Sequence, residues 1–171
     1  HVFLGDVRSL PLLDALHTSV QLQRAPDELS LAELRQRVER ARRDEPELVL
    51  DPRLFEELAL RWPKLGHVDV ALKAGGYDNE LSRFRYDVTL HVGPKRALTT
   101  PSRWLDWDRD GHWRSALARA LRDGSASGVG VRGIVDARAA RAVRAAEILR
   151  DGDARLGAVA LRALASDVPG E

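Results

Sequence analysis

His1 to Val7, HVFLGDV, settles how the rest of the chain is read. The run is apolar until Gly5-Asp6, as a buried strand reads when it delivers polar residues to the edge of a sheet. Pro11 follows, and then Leu12, Leu13, Leu16, Val20 and Leu22 recur at helical spacing with one apolar stripe. A strand running directly into a helix is half of a βαβ unit, so the class is α/β. Nothing precedes His1 to pair with that strand, and a lone βα start cannot bury itself. With no initiator methionine, the chain is expected to be a piece of something larger.

Outward from this start, Ser30-Leu31-Ala32-Glu33 matches a capping box. The helix behind it, running to about Asp44, is charged almost all round. Glu33–Arg37, Glu39–Arg43 and Arg40–Asp44 stand four residues apart. Arg35 to Arg43 would serve as a phosphate-binding stripe or as a solvated helix laced with ion pairs, and the interleaved acids favour the second. Asp51-Pro52 opens another helix whose buried face is Leu54, Phe55, Leu58 and Leu60, with Trp62-Pro63 ending it. Alternation predicts strands over His67 to Lys73 and Arg85 to Val92, the latter with Tyr86, Val88, Leu90 and Val92 on one face. The segment between them, Ala74 to Phe84 (AGGYDNELSRF), is too long for a tight hairpin turn. Beyond Gly93-Pro94 come a Trp-rich stretch, a helix near Trp113 to Arg122, a Gly/Ser loop over Asp123 to Gly128, a strand over Val129 to Val135 and two more helices. That tail reads as a small β-α-β-α-α appendage.

Composition excludes several classes. Across 171 residues, 27 basic and 26 acidic side chains leave a net charge of +1, which excludes a strongly basic nucleic-acid binder. No cysteine is present, so there is no disulfide framework, thiolate metal site or cysteine nucleophile. The five histidines never fall at metal-ligand spacing, so no metal is expected. No apolar run is long enough to span a membrane and the first residues lack a signal-peptide layout. A cytoplasmic protein is expected, with neither nucleic acid nor membrane as partner. Gly128 to Gly133 (GVGVRG) echoes a glycine-rich nucleotide loop, but it precedes a strand rather than following one.

Two polar clusters remain as candidate sites. Asp6, Arg8 and Ser9 stand at the carboxyl end of the opening strand, where open α/β sheets bind ligands. Asn79, Glu80, Arg83, Arg85, Tyr86 and Asp87 lie in and after the long loop, a usual place for function. Asn79 offers a donor and an acceptor, Glu80 an acceptor able to take a proton from an amine, and Arg83 a planar donor fork for phosphate or carboxylate. The competing reading is a set of structural ion pairs, such as Asp6–Arg8 or Arg85–Asp87, that fixes the loop. Tyr86 fits either a substrate contact or core packing, and its place in the strand's apolar alternation favours packing.

At these clusters the chain resembles a known family. Val2 to Leu13 (VFLGDVRSLPLL), continuing through Ala15-Leu16-His17, is similar to the end of the S-adenosylmethionine-dependent methyltransferase domain embedded in nonribosomal peptide synthetases. So are Asn79 to His91 (NELSRFRYDVTLH) and Glu47 to Phe55 (ELVLDPRLF), and, more loosely, Trp104 to Trp107 and Gly133 to Arg138. The family commonly has Pro-Asn where this chain has Val135-Asp136. The resemblance implies the C-terminal part of a class I, Rossmann-like methyltransferase: residues 1–93 as the last strands with a helical insertion over about 25–62, and 94–171 as the small α+β appendage. His1 to Val7 would be the fifth strand and those at His67 and Arg85 the last two, with the insertion lying over the active-site mouth.

The implied reaction is methylation of the α-amino nitrogen of an aminoacyl thioester on a carrier protein. Glu80 and Asn79 would be catalytic, and Asp6, Arg8, Ser9, Arg83 and Tyr86 substrate-binding. S-adenosylmethionine would be held mainly by residues outside this chain, since the glycine-rich loop and the ribose-gripping acid would lie upstream of His1. The implied partners are the carrier protein, an adenylation domain and the missing N-terminal part of the methyltransferase. A different class is also open: a docking or scaffold module, with the arginine-rich helix against an acidic carrier surface. So is an O- or C-methyltransferase of a related assembly line. The two polar clusters are expected to converge at one edge of the sheet.

Overall fold

The computed structural model describes residues 1–74, 76–94, 100–107, 111–124 and 127–166. Gly75 of the long loop, Ser125-Ala126 of the Gly/Ser loop and both 95–99 and 167–171 of the expected appendage lie outside them. The elements in chain order are β1 (Val2–Ser9), a 3-10 turn (Leu10–Leu12), α1 (Leu13–Arg24), α2 (Leu31–Arg43), β2 (Val49–Leu50), α3 (Arg53–Arg61) and β3 (Leu65–Leu72). Then follow α4 (Glu80–Arg83), β4 (Arg85–Val92), β5 (Arg103–Asp106), α5 (His112–Asp123), β6 (Val129–Arg132), α6 (Ala137–Asp151) and α7 (Ala158–Ser166). The class is mixed α/β, with a four-stranded and a two-stranded sheet among the described residues.

The chain divides into two compact units. The described part of the first is 1–94 with 138–166, so α6 and α7, expected in an appendage beginning at 94, are in the same unit as β1. Its sheet has the order β2-β1-β4-β3. β4 is antiparallel to both β1 and β3, so those two run the same way. β2 is parallel to β1 but meets only its last two residues, Arg8↔Val49 and Ser9↔Leu50. The register puts Val88 between Leu4 and Val70, and Tyr86 between Val7 and Leu72, on one apolar face. Phe55 and Leu58 of α3 cover the centre of that face, over Tyr86 and Val88.

Period-2 alternation located β3 and β4, but the helices needed correction. α2 is not polar all round: Leu31 and Leu34 are fully buried and Val38 nearly so, a stripe at i, i+3, i+7 too narrow to stand out among its charges. That stripe packs with Leu22 of α1, Ala145 and Leu149 of α6, and Ala158 and Leu161 of α7. Each fully buried leucine there contributes roughly 2 kcal/mol. The expected i,i+4 ion pairs give way to longer-range ones. Arg35 donates to the Leu149 and Gly152 carbonyls at the end of α6, and Arg42 lies 3.4 Å from Asp14 of α1. Arg162 of α7 does the same for α1, donating to the Leu22 and Ala25 carbonyls. The capping box of α2 forms as the sequence implies, with Ser30 and Glu33 bonding reciprocally.

α3 begins one residue later than expected, and Leu54 and Leu60 face outward, leaving Phe55 and Leu58 as its buried pair. A nine-residue helix has room for only a narrow contact stripe, and Leu60 lies off it. β2, of two residues, and the single-turn α4, of four, span about one period of their patterns, too little for a repeat to show.

In the second unit β5 and β6 pair in parallel from Arg103↔Val129 to Asp106↔Arg132. Gly130 belongs to this strand and not to a phosphate loop. A Cβ on Gly130 would meet the Trp104 ring at 2.6 Å, so the glycine makes room for the indole. Arg132 Nε donates to Asp106 at 2.6 Å and ties the two strands at their ends.

Candidate functional site

The carboxyl ends of β1 and β3 and the start of β4 meet at one edge of the sheet, because Leu72 is in register with Tyr86 and Arg8 with Arg85. The β1–β4 register shifts between Leu4 and Val7, and within that bulge Asp6 adopts φ +67°. Aspartate tolerates this left-handed geometry better than most side chains. The bulge turns the Asp6 amide out of the ladder, and it donates to the Asp87 carboxylate at 2.8 Å. Lys73, just past β3, bridges the same oxygen of Asp87 at 3.1 Å and Asp6 at 3.3 Å. Arg85 donates to the other Asp6 carboxylate oxygen at 3.2 Å and to Glu47 at 2.8 Å. Arg8 grips both oxygens of Glu47, at 2.6 and 3.3 Å, and lies 3.5 Å from Glu45, which in turn lies 3.0 Å from His17 Nε2.

The result is a closed chain of alternating charge: Glu45, Arg8, Glu47, Arg85, Asp6, Lys73, Asp87. The anticipated pairs Asp6–Arg8 and Arg85–Asp87 are replaced by cross-strand ones. Residues i and i+2 of a strand share a face but stand about 7 Å apart, whereas adjacent strands and the flanking loops bring opposite charges closer. The Arg8 guanidinium holds the Glu47 carboxyl below the usual carboxylate range, with Arg85 adding to it. Burial would raise Asp87, but the Asp6 amide and Lys73 outweigh it and leave Asp87 low. Burial pushes His17 below the usual imidazole range, against the attraction of Glu45.

The second cluster sits on α4, at the same edge. The Ser9 amide donates to the Phe84 carbonyl at 3.0 Å, so the residue ending α4 lies directly on the end of β1. Asn79 is the N-cap of α4: its Oδ1 accepts from Leu81 N at 3.0 Å and Ser82 N at 3.1 Å, while Ser82 Oγ accepts from Asn79 N at 3.1 Å. Its Oδ1 is therefore saturated, and what it can still offer is the two N–H donors of Nδ2. Arg83 closes a bidentate pair with Asp78 at 2.6 and 2.7 Å. The Glu80 carboxylate is exposed and, among the described residues, has no hydrogen-bond or ion-pair partner. Every other acid at this edge is paired.

Tyr86 is in the core. Its ring meets Phe55 edge-on and its hydroxyl donates to the Leu50 carbonyl at 3.0 Å, and burial pushes its phenol up to about 12. Of the named candidates, then, Asp6 and Arg8 join one ion network with Arg85 and Asp87. Asn79, Glu80 and Arg83 lie beside it on α4, and Ser9 contributes its backbone. Sequence reasoning passed over Glu45, Glu47, Lys73 and His17. The available signal was Asp44-Glu45-Pro46-Glu47, a compact acidic run directly after Arg42-Arg43.

At the far end of the sheet, Asp69 accepts from His67 Nε2 and His91 Nε2, both at 2.6 Å. No group of three or more His, Asp or Glu among the described residues could hold a metal ion. No helix among them is long and apolar enough to cross a membrane. A cavity of about 290 Å³ opens between α1, α2 and α6, walled by Asp14, Thr18, Arg35, Val38 and Leu149. It shares no lining residue with the Asp6 network.

Comparison with known proteins gives a consistent answer. No protein-family profile matches the chain. It is 46% identical over 143 residues to chondramide synthase of Chondromyces crocatus, covering 80% of this chain and 4% of that protein. It is 44% identical over 95 residues to a probable non-canonical nonribosomal peptide synthetase of Salinispora arenicola, covering 56% of this chain and 1% of the relative. It is 31% identical over 131 residues to cyclosporin synthetase of Tolypocladium inflatum, covering 70% of this chain and 1% of that protein. The chain thus spans only a few per cent of the relatives it matches. It is related to a segment of nonribosomal peptide synthetases.

Proposed function

We propose that this chain is the acceptor-side, C-terminal portion of a methyltransferase domain that N-methylates an aminoacyl thioester held on a carrier protein during nonribosomal peptide synthesis. Two things support the reading besides the relatives. The order β1-β4-β3, with β4 antiparallel between two strands running alike, is what the last three strands of a class I methyltransferase sheet require. The observation that carries it is the Glu80 carboxylate, unpaired among the described residues, at the carboxyl edge of β1 and β3 beside acids that are all paired.

The chemistry follows from what each group still has to give. An α-ammonium carries no lone pair, so it must lose a proton before nitrogen can attack a methyl carbon. Glu80, without a partner among the described residues, takes that proton. Asn79, with Oδ1 spent on its helix cap, can only donate, so its Nδ2 orients the thioester carbonyl and leaves the amine lone pair open. Asp6, Arg8, Arg83 and Arg85 hold the edge in shape and do not touch the reacting atoms. On this reading the methyl donor is S-adenosylmethionine, held mainly by residues outside this chain, and the carrier and adenylation domains are the partners.

The test is methyl transfer in the full-length synthetase, measured as label passing from S-adenosylmethionine to the carrier-bound aminoacyl group. Glu80→Gln is expected to lower kcat by roughly 10²–10⁴, as loss of a general base does. Loading and binding of the carrier should be unchanged. Undiminished methylation by Glu80→Gln would end this assignment. If substitutions at Arg37, Arg40 and Arg43 alone were to matter, a docking role would replace it.

A further inference from the structure

α6 lies outside the residues assigned above, and yet it reaches the loop that carries them. Arg138, in its first turn, donates from Nη1 to the carbonyl of Lys73 at 2.8 Å, where β3 gives way to the loop. At the other end of the loop, Asp78 stands next to the N-cap Asn79 and pairs with Arg83 across α4. The Arg83 guanidinium holds the Asp78 carboxyl below its usual range, and the charge of Arg138 adds to this, so Arg138 lies within electrostatic reach of Asp78 as well. One helical turn on, Ala142 packs against Phe84, the residue directly after α4, together with Leu13 and Leu16 of α1. Arg138 and Ala142 are four apart and share a helix face. A single face of α6 therefore holds this segment at its start, through Arg138 on the Lys73 carbonyl, and at its close, through Ala142 beside Phe84. Between these points the described residues of the segment belong to no strand.

We infer that Arg138, acting with Asp78, is a positioning residue that sets where α4 presents Asn79 and Glu80. The inference rests on the acceptor-site reading for its functional consequence, but its physical content is separate. A loop whose pose is fixed from a distant helix opens locally when that anchor is cut, while the sheet beside it does not.

The experiment measures amide hydrogen exchange of Leu81 and Ser82, the two N–H groups that Asn79 caps, against Val88 and Leu90 in β4. In Arg138→Ala the first pair is expected to exchange roughly tenfold faster, and in Arg138→Lys, which keeps a donor for the carbonyl, no more than about threefold, with β4 unchanged in both. Unchanged exchange at Leu81 and Ser82, or an equal rise in β4, would overturn the positioning role. Asp78→Asn, at an exposed site, covers the case in which Arg138→Ala does not fold: the same two amides must accelerate, and their failure to do so also overturns it. In the full-length synthetase, Arg138→Ala should lower kcat for methyl transfer with KM for the loaded carrier unchanged, and Arg138→Lys should restore much of it. Faster exchange with undiminished methylation would leave the clasp standing and overturn the roles given to Asn79 and Glu80 instead.

Discussion

Two groups of charge share one edge of the sheet and are built on opposite plans. In the network from Glu45 to Asp87 each cation lies between two carboxylates, and Arg8, Arg85 and Glu45 are nearly withdrawn from solvent. On α4, Glu80 faces water with nothing to bind among the described residues, and Asn79 keeps only donors in reserve. Residue type does not separate the groups, since acids and arginines stand in both. What separates them is whether the hydrogen-bonding capacity is already used. A saturated network stabilises a geometry, and an unsaturated one next to it has capacity left for a ligand.

The strongest way to break this contrast is to open the network. Arg8→Ala removes the arginine beside Glu45, 7% exposed at its side chain, and leaves Glu47 with Arg85 alone. Removing one partner of a buried pair costs about 3 kcal/mol or more, read as a lower urea midpoint for this chain. A loss below about 0.5 kcal/mol would show that the network is ornamental and that its charges are free for other work. Glu47→Gln is milder. The amide still accepts from both arginines but carries no charge, and Glu47 is 42% exposed, so solvent already screens it. About 1 kcal/mol is expected by the same measurement.

How far the fold could be read from the sequence follows the same division. β3 and β4 were legible from period-2 alternation and β1 from a short apolar run ending at Gly5-Asp6, and the capping box of Ser30 and Glu33 is purely local. α2 misled because three buried side chains among ten polar or small ones give a weak periodic signal. The return of α6 and α7 to the first unit depends on Ala142, Ala145 and Leu161 meeting α1 and α2 across more than a hundred residues, which no window of sequence contains. At the edge itself, Asp6, Arg8, Asn79 and Glu80 could be singled out by type. Their division into structural and available groups could not, because it is decided by Glu47, Lys73 and a bulge in β1.

Acid should weaken the two groups unequally. Glu47 and Asp87 titrate below their ordinary values in the folded chain. Such groups bind more protons when unfolded, so their contribution is complete above the unfolded values, about 4.3 for Glu and 3.9 for Asp, and is lost as pH falls through the folded ones. His17 is also lowered, so its contribution is complete above about 6.5 and declines as pH falls below that. Urea midpoints measured from pH 8 downward should therefore slip slightly near pH 6 and steeply below pH about 4.5. Glu47→Gln should flatten the lower step, and an unaltered profile would mean that Glu47 is not held by Arg8 in solution.

The smallest expected effect tests the contrast most sharply. Glu80→Gln removes a carboxylate from the first turn of α4, where negative charge favours the helix N-terminus by a few tenths of a kcal/mol at most. It breaks no ion pair, because Glu80 has none among the described residues. Stability should therefore change by less than about 0.5 kcal/mol, the usual range for a surface substitution. Set beside Glu47→Gln, it makes a matched pair: the same chemical change at two acids on one edge, one bonded to two arginines and one with no partner among the described residues. If the two cost equal stability, Glu80 has a structural partner and its availability to a substrate is lost. If Glu47→Gln costs stability and Glu80→Gln costs only methyl transfer, the division between scaffold and site falls between these two carboxylates.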